Sequence, residues 1–332
     1  MQDYQPLDLS RFCNVGATFI SPDAKPPIGN QTFHGLPFNV GANDPDPTRC
    51  FIGFDGDGGR QTESVTIPVG AVAERLIFAH ALLESSVLEG DNFGRVIATY
   101  VVRFVDGEEV SVPIRERFEV GVVAPAQGGG PPFLAVPDQK ERLMSRYQGE
   151  WSLMGRRQTE ASRGGPSGYY LWAWKNPYPD RTIASVTIHP NGRKFLVAAI
   201  TLGFLDEPPF YCTGKREVKI TLPHEDDAAK PFTLEVDVDR GVATYPFPLP
   251  ERSADEFLND EFKGWGEEQN PTSSPAYVEI AAIPSATVTI TNDGEELGTV
   301  TWGELQEKGK VEAPRVHVEV VDRGRNWVHV TI

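Results

Sequence analysis

Apolar and polar residues alternate over short stretches along most of the chain, with the period of a strand rather than a helix. In ESVTIPV (63–69), Val65, Ile67 and Val69 share one face. GRVIATYVVRFVDG (94–107) puts Val96, Ala98, Tyr100, Val102 and Phe104 on one side and then reaches Asp106-Gly107, a turn pair. The alternation resumes in EEVSVPI (108–114), so this stretch predicts a β-hairpin. RLIFAHALL (75–83) is apolar almost without a break, as in a strand covered on both faces, although its length would also fit a helix. Strands are expected again over 168–176, 181–190, 194–204 and 217–223, and later over 232–239, 276–283 and 286–294. RVHVEVVDRGRNWVHVTI (315–332) reads as a hairpin with Asp322, Arg323 and Gly324 at or near its turn.

The interruptions suggest the organisation. APAQGGGPPFLAVPD (124–138) is a Gly/Pro-rich loop, and QKERLMSRYQ (139–148) reads as a short helix. The acidic run PHEDDAAKP (223–231) reads as a domain boundary, and the polar 251–275 as a connection with one helical turn at Ala254–Leu258. The expectation is an all-β protein of two domains. One spans 1–223, with an insertion near 124–150, and a smaller β-sandwich spans 229–332. The 28 prolines and 32 glycines, spread without a repeat, suit many short strands. The closing alternation at 326–332, without a polar tail, is what a fragment of a longer protein would show.

Charge narrows the function classes. A net charge of −16 with no basic run excludes the phosphate contacts of a nucleic-acid binder and disfavours anionic membranes. No apolar run approaches a membrane span, so no membrane insertion is expected. The polar start MQDYQPLDLSRF lacks the pattern of a leader; the protein is cytoplasmic if Met1 is native and extracellular if Met1 replaces a removed leader. Cys13, Cys50 and Cys212 are too few and too scattered for a disulfide framework.

Catalytic motifs are missing. There is no G-x-S-x-G, C-x-x-C, H-E-x-x-H, G-x-G-x-x-G or P-loop. GFDGDGG (53–59) carries Asp55 and Asp57 at alternate positions, and with Asp44 from the preceding loop (Asn43 and Asp46 beside it) these could ligate calcium; the same residues also fit an Asp-Gly turn. His80, in an apolar strand, is expected to be a hydrogen-bonded core residue, and His34, before Gly35 in a loop, is the histidine worth weighing for a site.

The aromatic run GYYLWAWKNPYPD (168–180) poses the main question. Period two puts Tyr170, Trp172, Trp174 and Asn176 on one face and Tyr169, Leu171, Ala173 and Lys175 on the other. Covered on both sides, Trp172 and Trp174 would build the core; exposed, Trp174 would join a sugar platform. Tyr178 and Asp180 lie in the Asn-Pro-x-Pro-Asp turn beside Asn176, where sandwich loops carry function, and Trp151 and Trp265 sit in polar surroundings. Asn176, Tyr178, Asp180, Trp174 and Trp151 are therefore the candidate ligand-binding residues.

The order of segments resembles a known family. FHGLPFNV (33–40), ESVTIPVGAVAERLIFAHALL (63–83), GRVIATYVVRFVDGEEVSVPI (94–114), LWAWKNPYPDRTIASVTI (171–188) and FLVAAITL (195–202) are similar to the galactose-binding-like jelly-roll β-sandwich domains attached to bacterial glycoside hydrolases. The chain departs from that pattern at RERFEVGVV (115–123), where the family commonly has a Gly and a Trp. The resemblance implies a non-catalytic carbohydrate-binding or accessory protein, the N-terminal region of a larger secreted hydrolase whose catalytic domain is missing. Two alternatives stand beside it: a glycoside hydrolase or polysaccharide lyase using Asp and Glu in an interdomain cleft, and an assembly module pairing through strand 326–332.

Overall fold

A computed structural model describes residues 3–56, 63–123, 130–143, 161–162, 164–212, 214–229, 232–247, 259 and 271–321. Asp57, Trp151, Trp265, the expected turn at 254–258 and the strand 326–332 lie outside these residues. The chain is an all-β protein of two compact units, residues 1–140 with 164–210, and 141–163 with 211–332.

The first unit contains β1 (Tyr4–Pro6), β2 (Gly29–Phe33), β3 (Leu36–Val40), β4 (Ile52–Phe54), β5 (Val65–Ala71), β6 (Arg75–Leu82), β7 (Val96–Phe104), β8 (Glu109–Arg115) and β9 (Val136–Pro137). The pair β10 (Arg142–Leu143) and β11 (Ala161–Ser162) falls in the second unit, and β12 (Tyr170–Lys175), β13 (Ile183–Pro190) and β14 (Phe195–Gly203) complete the first. One antiparallel sheet has the order β1-β14-β6-β12-β9, with β4 also on β14; the other has the order β5-β13-β7-β8. Between the two sheets lies a core that includes Phe78, Tyr100, Val102, Trp172, Trp174 and Val186. The outer face of the first sheet is covered as well. There Leu36, Phe38 and Val40 of the β2–β3 hairpin pack with Ile77, Ala79, Ala81, Tyr169 and Leu171.

This double cover explains the unbroken apolar runs. Every residue of β6 and β14 is buried, because the first sheet has no solvated face left. The hairpin predicted at 94–114 forms as β7 and β8. A register shift between Val96 and Ala98 interrupts the alternation, so Ile97 is buried alongside Ala98. The β2–β3 hairpin turns at His34-Gly35, whose φ angles of 51° and 75° are the two left-handed residues of a tight hairpin turn.

The second unit has its own sandwich. Its strands are β15 (Arg216–Thr221), β16 (Glu235–Val238), β17 (Gly241–Ala243), β18 (Ala276–Ala282), β19 (Thr287–Asn292), β20 (Glu295–Thr301), β21 (Lys310–Glu312) and β22 (His317–Val320), with helices α1 (Glu225–Ala229) and α2 (Trp302–Lys308). A sheet of order β17-β18-β15-β22-β21 faces one of order β16-β19-β20 across a core that includes Val278, Ile280, Val288, Ile290, Trp302 and Val318.

Three local expectations change. The stretch 217–223 was assigned to the first domain, but β15 pairs with β18 and β22, so the second unit begins well before the acidic run. That run lies inside the second unit rather than at its boundary: Glu225–Ala229 form α1, and buried Asp227 pairs with Arg315, which also reaches Glu295. Within the expected helix 139–148, Arg142 and Leu143 are extended and pair with β11; residues 144–148 lie outside the described residues. No helix among the described residues is long and apolar enough to cross a membrane.

Candidate functional site

The β12–β13 connection, Asn176 to Thr182, is the turn singled out by its composition. Asn176 is only 1% exposed and faces inward. Its Nδ2 donates to the carbonyls of Ala73 (2.8 Å) and Tyr178 (3.1 Å), and its Oδ1 accepts the Tyr178 N–H at 2.9 Å. Asn176 therefore braces the turn and has no donor left for a ligand. Asn176→Ala is expected to destabilise the protein by about 1–3 kcal/mol, since it strips partners from buried backbone groups. Thermal unfolding would show this as a melting temperature lower by several degrees; an unchanged melting temperature would refute the bracing role.

Tyr178 does reach the surface, at 36% exposure. Its edge rests on Phe104 (5.6 Å between centroids), and the Arg181 guanidinium lies 4.3 Å from its ring centre. Arg181 is in turn paired with Asp106 at 3.3 Å. The ring is thus packed within its own turn, between Phe104 and a paired arginine. Asp180 is exposed beside it. Trp174 is corrected outright as an exposed ring: it is buried in the inter-sheet core, on the same face as Trp172. Period two predicted which residues share that face, and the second sheet covers it.

The calcium reading finds little support. Asp44 is exposed and Asp55 half-buried, and Asp57 lies outside the described residues. Asp46 is committed to its own loop, accepting the N–H and hydroxyl of Thr48 at 2.8 and 2.7 Å, bonds that hold its carboxyl below the usual range. Among the described residues, no three His, Cys, Asp or Glu gather where they could hold a metal ion. His34 also has a structural part: its Nε2–H donates to the Pro137 carbonyl at 2.8 Å, and its ring meets Phe210 edge-on.

The strongest surface feature lies elsewhere, where the β6–β7 loop meets both ends of the β8–β9 connection. Arg115, Arg117, Phe118 and Glu119 follow β8. The Glu119 carboxylate accepts the backbone N–H of Arg115 (2.9 Å) and its guanidinium (3.1 and 2.5 Å), fixing a tight loop in which Arg117 adopts φ +68°. The Phe133 N–H donates to the Arg117 carbonyl (2.8 Å), and the N–H groups of Leu134 and Ala135 donate to that of Phe118 (3.1 and 3.0 Å). Gly94 N–H donates to the Glu116 carbonyl (3.2 Å), which brings Phe93 alongside. Gly94 has φ +80°, and a Cβ there would come within 3.3 Å of the Phe118 ring, so the close approach suits glycine.

The result is a cluster of rings and guanidinium groups. Phe118 and Phe133 have centroids 5.3 Å apart, and Arg115 lies 4.7 Å from the Phe118 centroid. Arg117 sits 5.2 Å from the centre of Phe93 and 5.8 Å from that of Phe133. Phe93 and Phe133 are 62% and 67% exposed, with Leu134 exposed beside Phe133. No candidate residue named from the sequence belongs to this cluster. Its one local signal was a phenylalanine set in polar or glycine/proline-rich loops, in DNFG (91–94) and PPFL (131–134).

No family model, no curated protein and no solved structure matches the chain.

Proposed function

We propose that this chain is a non-catalytic carbohydrate-binding protein, of the kind implied by its resemblance to galactose-binding-like accessory modules. The observation that carries the reading is the pair of exposed rings, Phe93 and Phe133, held around Arg117. A sugar stacks its C–H face on an aromatic ring while neighbouring polar groups hold its hydroxyls, so a platform needs rings that are both exposed and fixed. Phe133 is fixed by the backbone bond to Arg117, and Phe93 by the adjoining contact of Gly94. Large exposed apolar side chains gathered in one place mark contact surfaces, and loops at a sandwich end are the usual place for them.

Affinity electrophoresis and titration calorimetry against a polysaccharide panel test this. The wild-type chain is expected to be retained by at least one polymer. The Phe93→Ala, Phe133→Ala double variant is expected to lose about tenfold in affinity, at roughly 0.5–1.5 kcal/mol per lost ring. Tyr178→Ala is expected to bind as the wild type does. Retention by no polysaccharide, or binding lost through Tyr178 and kept without the two phenylalanines, would overturn the proposal.

A further inference from the structure

Arg117 differs from the arginine two residues before it. Arg115 is neutralised by Glu119, whereas Arg117 has no ion pair among the described residues. Its Nε and Nη1 atoms are shielded from water and have no hydrogen-bond partner. Buried donors of a charged group are rarely left so, because the water they lose is not replaced. The chain holds 47 acidic residues against 31 basic ones, yet among the described residues no carboxylate pairs with this cation. The backbone adds a second oddity: φ +68° is uncommon for a long side chain, and glycine or asparagine would sit there with less strain. Strained positions of this kind gather at binding sites. Around the guanidinium stand Phe93 and Phe133, and solvent still reaches part of the half-buried Arg117.

We infer that the ligand is a carboxylate-bearing glycan, a uronate polymer, whose carboxylate sets against Arg117 while its sugar rings stack on Phe93 and Phe133; this rests on the carbohydrate reading above. The guanidinium is the side chain suited to a planar carboxylate, and among the described residues no carboxylate competes for it. The net charge of −16 repels an anionic polymer at long range, but salt screens that repulsion beyond about 8 Å at physiological ionic strength. The contact at Arg117 is short-range and survives the same screening.

The test is calorimetry of the whole chain at about 0.15 M salt. The probes are polygalacturonate, alginate and glucuronoxylan, each beside its carboxyl-reduced form, with polyglutamate as a carboxylate without sugar. At least one native polymer is expected to bind about tenfold or more tightly than its reduced form, the worth of one charged hydrogen-bonded contact. Arg117→Gln is expected to remove that advantage, so that native and reduced polymers bind alike; Arg117→Lys is expected to restore part of it. Equal binding of native and reduced polymers would overturn the inference and leave the carbohydrate reading standing. Equal binding of polyglutamate would overturn the sugar requirement. Binding of none of them would overturn the inference, and the neutral polymers of the wider panel then decide the carbohydrate reading. Should Arg117→Gln fail to fold, the comparison of native and reduced polymers on the wild type still decides.

Discussion

Phe78→Ala is expected to cost about 3–5 kcal/mol of stability, a large share of what holds a domain together. Phe78 is buried in β6, where it stacks on Trp172 of the neighbouring strand (5.8 Å) and meets Tyr100 of the opposite sheet at 4.9 Å. The ring therefore bridges the two layers, and its loss opens a cavity lined by side chains whose strands are fixed on both sides. Denaturant unfolding followed by tryptophan fluorescence should show a lower midpoint for the first unit. A loss below about 1 kcal/mol would mean that the sheets close over the gap, against the packing described. Phe93→Ala makes the contrast: the same residue type, 62% exposed, should change stability by no more than about 0.5 kcal/mol and act on binding instead.

Acid should weaken the same core through His80. Its Nε2 lies 2.8 Å from the Glu119 carbonyl, which can only accept, so that nitrogen carries the proton. Nδ1 then accepts from the Tyr100 hydroxyl at 3.0 Å. The ring is neutral and sealed, and burial pushes its pKa down from 6.5 to about 4. Between those values the unfolded chain takes up a proton that the folded chain refuses. Stability from His80 is therefore complete above about pH 6.5 and is lost as the pH falls towards 4, in total roughly 3 kcal/mol. Urea unfolding of wild type and His80→Gln at pH 7, 6, 5 and 4.5 checks this. The gap between the two proteins should shrink as the pH falls, and a constant gap would refute the assignment.

Much of this architecture was legible in the sequence. Period-two alternation is a direct consequence of strand geometry, so β5, β7, β8, β18 and β19 could be read from single segments. The Asp106-Gly107 hairpin and the buried role of His80 followed from local chemistry as well. Other features depend on partners distant in the chain. A strand such as 217–223 carries no mark of which sheet it joins, and an acidic run reads alike as a linker or as a helix whose Asp227 waits for Arg315, 88 residues on. In the aromatic run, the alternation separated the two faces but not which would be covered, and the second sheet took Trp174 out of reach.

The candidate site was the least legible part. Asn176, Tyr178 and Asp180 are adjacent in sequence, and adjacency made them look like a site; the hydrogen bonds of Asn176 show that the turn mostly holds itself. Phe93 comes from the β6–β7 loop and Arg117 and Phe133 from the two ends of the β8–β9 connection, and only the strand registers bring both ring centres within 6 Å of the Arg117 guanidinium. By itself the sequence determined the local conformation, because backbone sterics and hydrophobic period act over a few residues. Which rings stay in water, and which cation they enclose, was decided only in the tertiary structure, because exposure and ion pairing depend on groups that chain folding brings together from far apart.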